Sequence, residues 1–204
     1  MIRILLHADP RAYEPCFCSE PDKADGNFVQ HILTCDRVCG ATRVYRHNCV
    51  LTALEHHLRL YGCFCSFEPR FYAYADGTRK RPDLTVHTTV PHPLSTDIVV
   101  SINMDDALAG KKEKHAAAVH DAGHAFLPVA MSIWGEHHAS TDEFLQRALH
   151  HMPPKTKTMA IQKTKRAMSE GWLIGTAAMI RGVVQRDLSR IEMARHDDEN
   201  PWAA

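Results

Sequence analysis

The sequence lacks any uninterrupted apolar stretch approaching the roughly 18 residues that a bilayer span needs. The nearest candidate, around Ala125 to Trp134, is strand-like and contains Pro128, so no association with a membrane is expected. The opening Met1-Ile2-Arg3-Ile4-Leu5-Leu6-His7 turns polar too soon for a secretory signal; export is not expected, and the protein is read as intracellular, nuclear or cytoplasmic. There is no internal repeat and no low-complexity tract. No sign of charge dominates either, because 24 Lys and Arg balance 24 Asp and Glu. That neutrality counts against a nucleic-acid binder that works through overall charge. Seven cysteines, an odd number, count against a disulfide framework and fit thiols that stay reduced or hold a metal.

What is present is an ordinary globular composition: 204 residues, 45% hydrophobic and 24% charged, enough to bury a core and unlike a disordered chain. Charge is uneven along it. Lys155, Lys157, Lys163, Lys165 and Arg166 share a window without an acid, Arg79-Lys80-Arg81 forms a second basic run, and Asp197, Asp198 and Glu199 lie in the tail. Local basic patches can therefore exist on a neutral molecule.

Residues 1 to 40 are broken by Pro10, Pro15, Pro21 and Gly26 and hold four of the seven cysteines, which reads as a loop-rich attachment. Val50, Leu51, Leu54, Leu58 and Tyr61 then follow helical spacing up to Gly62, predicting a helix over 46–61. Strands are expected over 63–67, 71–74, 84–90 and 97–102, the last two paired as a hairpin across Pro91-His92-Pro93, with a turn at Ala75-Asp76-Gly77. Asn103 as N-cap with Asp105 and Asp106 in the first turn predicts a helix over 105–121. A strand over 125–133 follows. Ser140-Thr141-Asp142-Glu143 fits a capping box opening a helix to about 151, and 156–195 is helical with Gly171, Gly175 and Gly182 as weak points. The fold class is α/β, in three parts: the Cys/His region 1–40, a core 41–139 and a carboxy-terminal helical extension 140–204.

Between 82 and 115 lies the segment that carries chemistry: Pro82-Asp83, Asp97 heading the run Ile98-Val99-Val100, and Lys111-Lys112-Glu113-Lys114-His115. Two carboxylates at one end of a sheet are hard oxygen ligands for Mg²⁺, and a nearby lysine can stabilise developing charge or orient a water. On a helix Lys111 shares a face with Lys114 and with His115, while Lys112 points about 100° away; Lys111 and Lys114 are both candidates for the catalytic lysine. By spacing alone, Pro-Asp equally starts a turn and Asp97 equally caps a loop. Glu68 is a candidate third oxygen, Glu55 a weaker one, and Arg46, His47, Arg81, Lys155 and Lys157 are candidate phosphate contacts. Near the amino end, Cys16-x-Cys18 followed by His31-x-x-x-Cys35 offers three thiolates and an imidazole, the ligand set of a structural Zn²⁺ site, with Cys39 as an alternative. Cys49, Cys63 and Cys65 read as packed thiols, and the pairs His56-His57, His137-His138 and His150-His151 as surface or half-buried residues.

An ordered set of motifs points further: His31-Ile32-Leu33-Thr34-Cys35, Arg46-His47-Asn48 opening a helix, Glu68-Pro69, Arg81-Pro82-Asp83-Leu84, Asp97-Ile98-Val99-Val100, Lys111-x-x-Lys114-His115 and Phe126-Leu127-Pro128. Together they resemble the restriction-like endonuclease domain at the carboxy end of non-long-terminal-repeat retrotransposon polyproteins, a branch of the PD-(D/E)XK nucleases. The resemblance covers most of the chain. It implies an αβββαβ core preceded by a zinc knuckle, Mg²⁺ dependence, DNA as the substrate, and a reverse transcriptase or the parent retroelement machinery as partner. It makes Asp83 and Asp97 metal-binding carboxylates and takes the lysine from the helix at Lys111 to Lys114, since Val99 stands where the wider superfamily has lysine. Two features depart from it. The Cys16/Cys18 pair is separated by one residue where the knuckle has two, and His115 stands where the family has tyrosine. With no reverse transcriptase region, the chain resembles a detached module.

Overall fold

A computed structural model describes residues 33, 36–68, 72 and 81–198, with side chains at 33, 43–68, 72 and 81–182. The chain forms two compact units, Tyr45–Gly175 and the remainder, Met1–Val44 with Thr176–Ala204. The described part of the second unit is helical, with Leu33 and Met179 buried. Among the described residues ten elements follow in order: α1 Asp36–Leu60, β1 Cys65–Phe67, β2 Leu84–Val86, β3 Leu94–Thr96, β4 Ile98–Ser101, α2 Met104–Asp121, β5 Ala125–Phe126, β6 Val129–Ser132, α3 Ala139–Ala148 and α4 Pro154–Asp198. The class is mixed α/β, as expected.

Four strands form a mixed sheet in the order β1-β2-β3-β5, antiparallel except for the parallel β3/β5 pair, and β4 and β6 form a parallel pair. Leu94 faces Ala125 and Ile98 faces Val129, so one register runs through both parallel pairs and sets Asp97 opposite Pro128. The backbone N–H groups of Ala125, Leu127, Val129 and Ile133 donate to Pro93, Ser95, Asp97 and Ser101. Pro128 falls between these donors, so its missing N–H costs no bond in the ladder. Alternation divides the strands between two layers. Ile98, Val129 and Met131 join Val50, Leu54, Leu58, Leu84, Phe144, Leu149, Met168 and Trp172 in one core, whereas Val99 and Ala130 pack against Leu108 of α2.

Several local expectations change. The hairpin partner of β2 is Leu94–Thr96, not the strand beginning at Asp97, because the chain breaks step at Asp97 and continues as β4 beside β6. β2 ends at Val86, well short of the expected 90, and the strand expected over 125–133 is two short pieces separated by Leu127-Pro128. α1 begins ten residues before the expected start, running through Gly40, which costs a helix only about 1 kcal/mol. α2 begins as expected, with the Asn103 side chain accepting from the Asp106 N–H.

The capping box does not form. The N-cap of α3 is His138, whose imidazole accepts from the Ser140 N–H. Thr141 is instead docked on β6 through its hydroxyl to the Ala130 carbonyl at 2.9 Å, and Glu143 pairs with Arg147. Gly171 and Gly175 do not weaken α4, which is one helix of 45 residues. A Cβ at Gly171 would stand 2.6 Å from the Cys49 carbonyl oxygen, and one at Gly175 2.4 Å from Arg46 Cα. These two glycines let α4 lie directly on the α1 backbone. The segment 71–74 and the turn at 75–77 lie outside the described residues, apart from Tyr72.

Candidate active site

The antiparallel register that sets Leu84 opposite Thr96 also sets Asp83 opposite Asp97. Fourteen residues apart in the chain, the two interlock: the Asp83 N–H donates to Asp97 Oδ1 at 2.9 Å, and the Ile98 N–H donates to Asp83 Oδ2 at 2.7 Å. Each carboxylate is thus fixed by the backbone of the neighbouring strand. Asp97 is buried, 1% exposed, while Asp83 is 20% exposed, and Asp83 Oδ1 carries no hydrogen bond among the described residues.

Two like charges this close need compensation. α2 supplies it along its inward stripe, where Leu108, Lys111, His115 and Ala118 recur at helical spacing. Lys111 Nζ lies 2.7 Å from Asp97 Oδ2, and His115 Nε2, fully buried, lies 3.0 Å from the same oxygen. The His115 ring sits 5.5 Å from that of Phe126, which walls it in. Lys114, three residues on from Lys111, is exposed. Of the two candidate lysines the fold brings Lys111 to the carboxylates.

α1 supplies the remaining partner. His47 Nε2 lies 2.9 Å from Asp83 Oδ2, and its Nδ1 lies 3.1 Å from Asn48 Oδ1. With an acceptor on each side, the imidazole is favoured doubly protonated. Burial opposes charge on His47, yet the bond and charge of Asp83, with the Asn48 bond, raise its pKa above the ordinary value against a smaller push from Lys111. Burial likewise opposes ionisation of Asp97, but the His115 hydrogen bond and the charge and bond of Lys111 outweigh it and hold the carboxyl down at about 2. At neutral pH Asp97 is a carboxylate, the form that binds a cation.

The other sequence candidates are distributed as follows. The Glu68 carboxylate is exposed and lies 3.9 Å from the Arg81 guanidinium, while its backbone N–H donates to the Asp83 carbonyl at 3.1 Å. Glu55 is committed to Arg59, whose guanidinium also holds the Cys65 carbonyl. Arg46 is 3% exposed, lying against Gly175. Lys155 and Lys157 lie in the first turn of α4, and no contact among the described residues joins them to the carboxylates. Cys16, Cys18, His31 and Cys35 lie outside the described residues, as does the side chain of Cys39. Cys63 and Cys65 are buried, as expected.

Two contacts were not foreseen: His47 on Asp83, where the sequence suggested phosphate, and His115 on Asp97, noted only where a tyrosine was expected. The i,i+4 spacing of Lys111 and His115 was the available signal for the second; nothing local announces the first, which spans 36 residues.

Among the described residues no three His, Cys, Asp or Glu side chains form a group that could hold a metal ion. Mg²⁺ does not require such a group, since it keeps several waters and takes one or two carboxylates. The donor chemistry here, hard carboxylate oxygens with Asp83 Oδ1 available, fits that ion. Among the described residues no helix is long and apolar enough to cross a membrane. In comparisons with known proteins, no family model and no curated protein matches this chain.

Proposed function

We propose that the chain is a Mg²⁺-dependent DNA endonuclease of the restriction-like, PD-(D/E)XK type, with the Cys/His segment as a zinc knuckle ahead of it. The observation that carries the reading is the convergence of Asp83, Asp97 and Lys111 from two strands and a helix, with Lys111 2.7 Å from Asp97. The resemblance described from the sequence supports the same assignment.

Asp83 and Asp97 are the residues that would hold the metal, and the ion, when bound, supplies charge neutralisation at the scissile phosphate and polarises a water. The chain's own residues prepare that chemistry. Lys111 keeps Asp97 ionised. As an ammonium it donates and cannot accept, so its role is to stabilise negative charge developing on the phosphate oxygens. His47 and the Ile98 N–H fix the Asp83 carboxylate from one side and leave Oδ1 toward solvent. The basic start of α4, with Lys155 and Lys157, adds non-specific attraction for the DNA backbone.

The test is a plasmid-nicking assay with Mg²⁺. Asp83→Asn retains an acceptor for the Ile98 N–H, so the fold should survive while cleavage falls by two orders of magnitude or more. A wild-type protein that cleaves nothing, or an Asp83→Asn protein that cleaves equally well, refutes the reading.

One observation favours a second reading, a nucleic-acid-binding module without catalysis. Both Asp97 oxygens already have partners, Oδ1 the Asp83 N–H and Oδ2 both Lys111 and His115, so this carboxylate is engaged as a structural element. Salt-sensitive DNA binding without Mg²⁺-dependent cleavage would select it.

A further inference from the structure

A cleft of about 410 Å³ opens beside the carboxylates, lined by Asn48, Leu51, Thr52, Phe67, Glu68 and Arg81, within the size range of small-ligand sites. Three of these residues lead directly to Asp83. Asn48 holds the imidazole of His47, which holds Asp83; the Glu68 N–H bonds the Asp83 carbonyl; and Arg81 lies two residues ahead of it. Leu51 is buried and forms an apolar base. Phe67 is 46% exposed at the end of an edge strand, so its ring is open to a partner. The Asn48 carbonyl oxygen faces His47, so its amide N–H₂ is left for the cleft, with no partner among the described residues. Arg81 offers a guanidinium that lies 3.9 Å from the exposed Glu68 carboxylate. Glu68 also holds a left-handed backbone, φ 38°, a conformation that non-glycine residues adopt rarely and that recurs at ligand sites.

An aromatic face, an amide donor and a guanidinium around one opening match the three parts of a nucleotide: base plane, base edge and phosphate. We propose that this cleft binds a single unstacked nucleotide next to the phosphate at the carboxylates, its base against Phe67 and its phosphate on Arg81. The inference rests on the nuclease reading for its choice of DNA. A base inside a continuous duplex has both faces covered, so only a nucleotide that has left the stack reaches Phe67. The protein therefore selects DNA carrying an unpaired nucleotide at the cut over perfect duplex.

The test measures binding apart from cleavage. In buffer without Mg²⁺, fluorescence anisotropy compares a perfect duplex with the same duplex carrying one bulged nucleotide. Wild type should bind the bulged form about tenfold tighter, the magnitude of one base–aromatic stack. Phe67→Ala should abolish the preference, and Phe67→Trp should keep it, with indole fluorescence quenched on binding. The position is exposed, so both variants should show the wild-type melting temperature. Equal binding of the two DNAs by wild type, absence of binding, or a preference that survives Phe67→Ala overturns the proposal. A parallel Mg²⁺ assay separates the two claims. Phe67-dependent bulge selection without cleavage upholds the cleft and removes the nuclease, whereas Asp83-dependent cleavage with no bulge selection does the reverse.

Discussion

Replacing Lys111 by methionine tests the electrostatic argument at its centre. The Asp97 carboxyl titrates at about 2 against an ordinary 3.8. At about 1.4 kcal/mol for each tenfold change in proton affinity, that corresponds to roughly 2 kcal/mol of stability at neutral pH. Burial opposes the charge, and His115 and Lys111 overcome it, so removing the ammonium leaves a buried carboxylate held by His115 and one backbone N–H. Such losses reach about 3–5 kcal/mol for wholly buried pairs. Lys111 is 32% exposed and solvent already screens part of its charge, so a loss of about 1–2 kcal/mol is expected at pH 7. The sign with pH is fixed. A depressed carboxyl stabilises the fold above 3.8, and that contribution disappears as pH falls from about 4 to about 2. Without Lys111 the carboxyl titrates higher and protonates sooner. The gap between wild type and variant should be widest near neutrality and narrow toward about pH 3 as Asp97 protonates in the variant first, closing only near pH 2. Urea unfolding followed by tryptophan fluorescence without added Mg²⁺, from pH 7 to pH 3, measures it, provided the m-value is unchanged. Equal stability at pH 7, or a gap that ignores pH, would refute the reasoning.

Gly175→Ala should destabilise the protein by about 1–3 kcal/mol or more, since the new methyl meets backbone and not a flexible side-chain end. Gly110→Ala, in the interior of α2 where a Cβ meets nothing, should instead stabilise by about 0.5–1 kcal/mol; thermal melts of the two, side by side, decide whether close helix contact or helix propensity governs each glycine. The Cys65 thiol is pushed up to about 12, first by burial and then by Cys63 and Glu55, with Arg59 opposing. Native Cys65 should resist alkylation at pH 8 and react once urea unfolds the chain. Equal modification of native and unfolded Cys65 by peptide mass mapping would contradict that burial.

The elements that the sequence located best are those whose signals are local. Asn103, Asp105 and Asp106 announced the start of α2 because a cap acts within one turn, and the apolar spacing of Val50, Leu54 and Leu58 announced α1 because one face of one helix needs covering. Ser140-x-x-Glu143 misled for a physical reason: the Ser140 hydroxyl lies 3.1 Å from His138 Nδ1 and Glu143 is drawn to Arg147, so the hydroxyl and carboxylate of the box have other partners. Gly171 and Gly175 misled because their value lies in what they permit a second helix to do. The hairpin was expected with the strand beginning at Asp97, whereas β2 pairs with Leu94–Thr96 just before it, since the break at Asp97 depends on β6 arriving alongside.

Composition, spacing and motif order by themselves determined the mixed α/β class, the helix carrying Lys111 and Lys114, and the short list of acids on the neighbouring strands. Tertiary structure alone decided that Asp83 faces Asp97, that Lys111 and not Lys114 reaches them, and that His47 arrives from 36 residues away to hold Asp83. The reason is one of range. Periodicity and capping act over three or four residues and are written into the local chain, whereas the meeting of these side chains depends on strand register and helix docking, which the whole core sets at once.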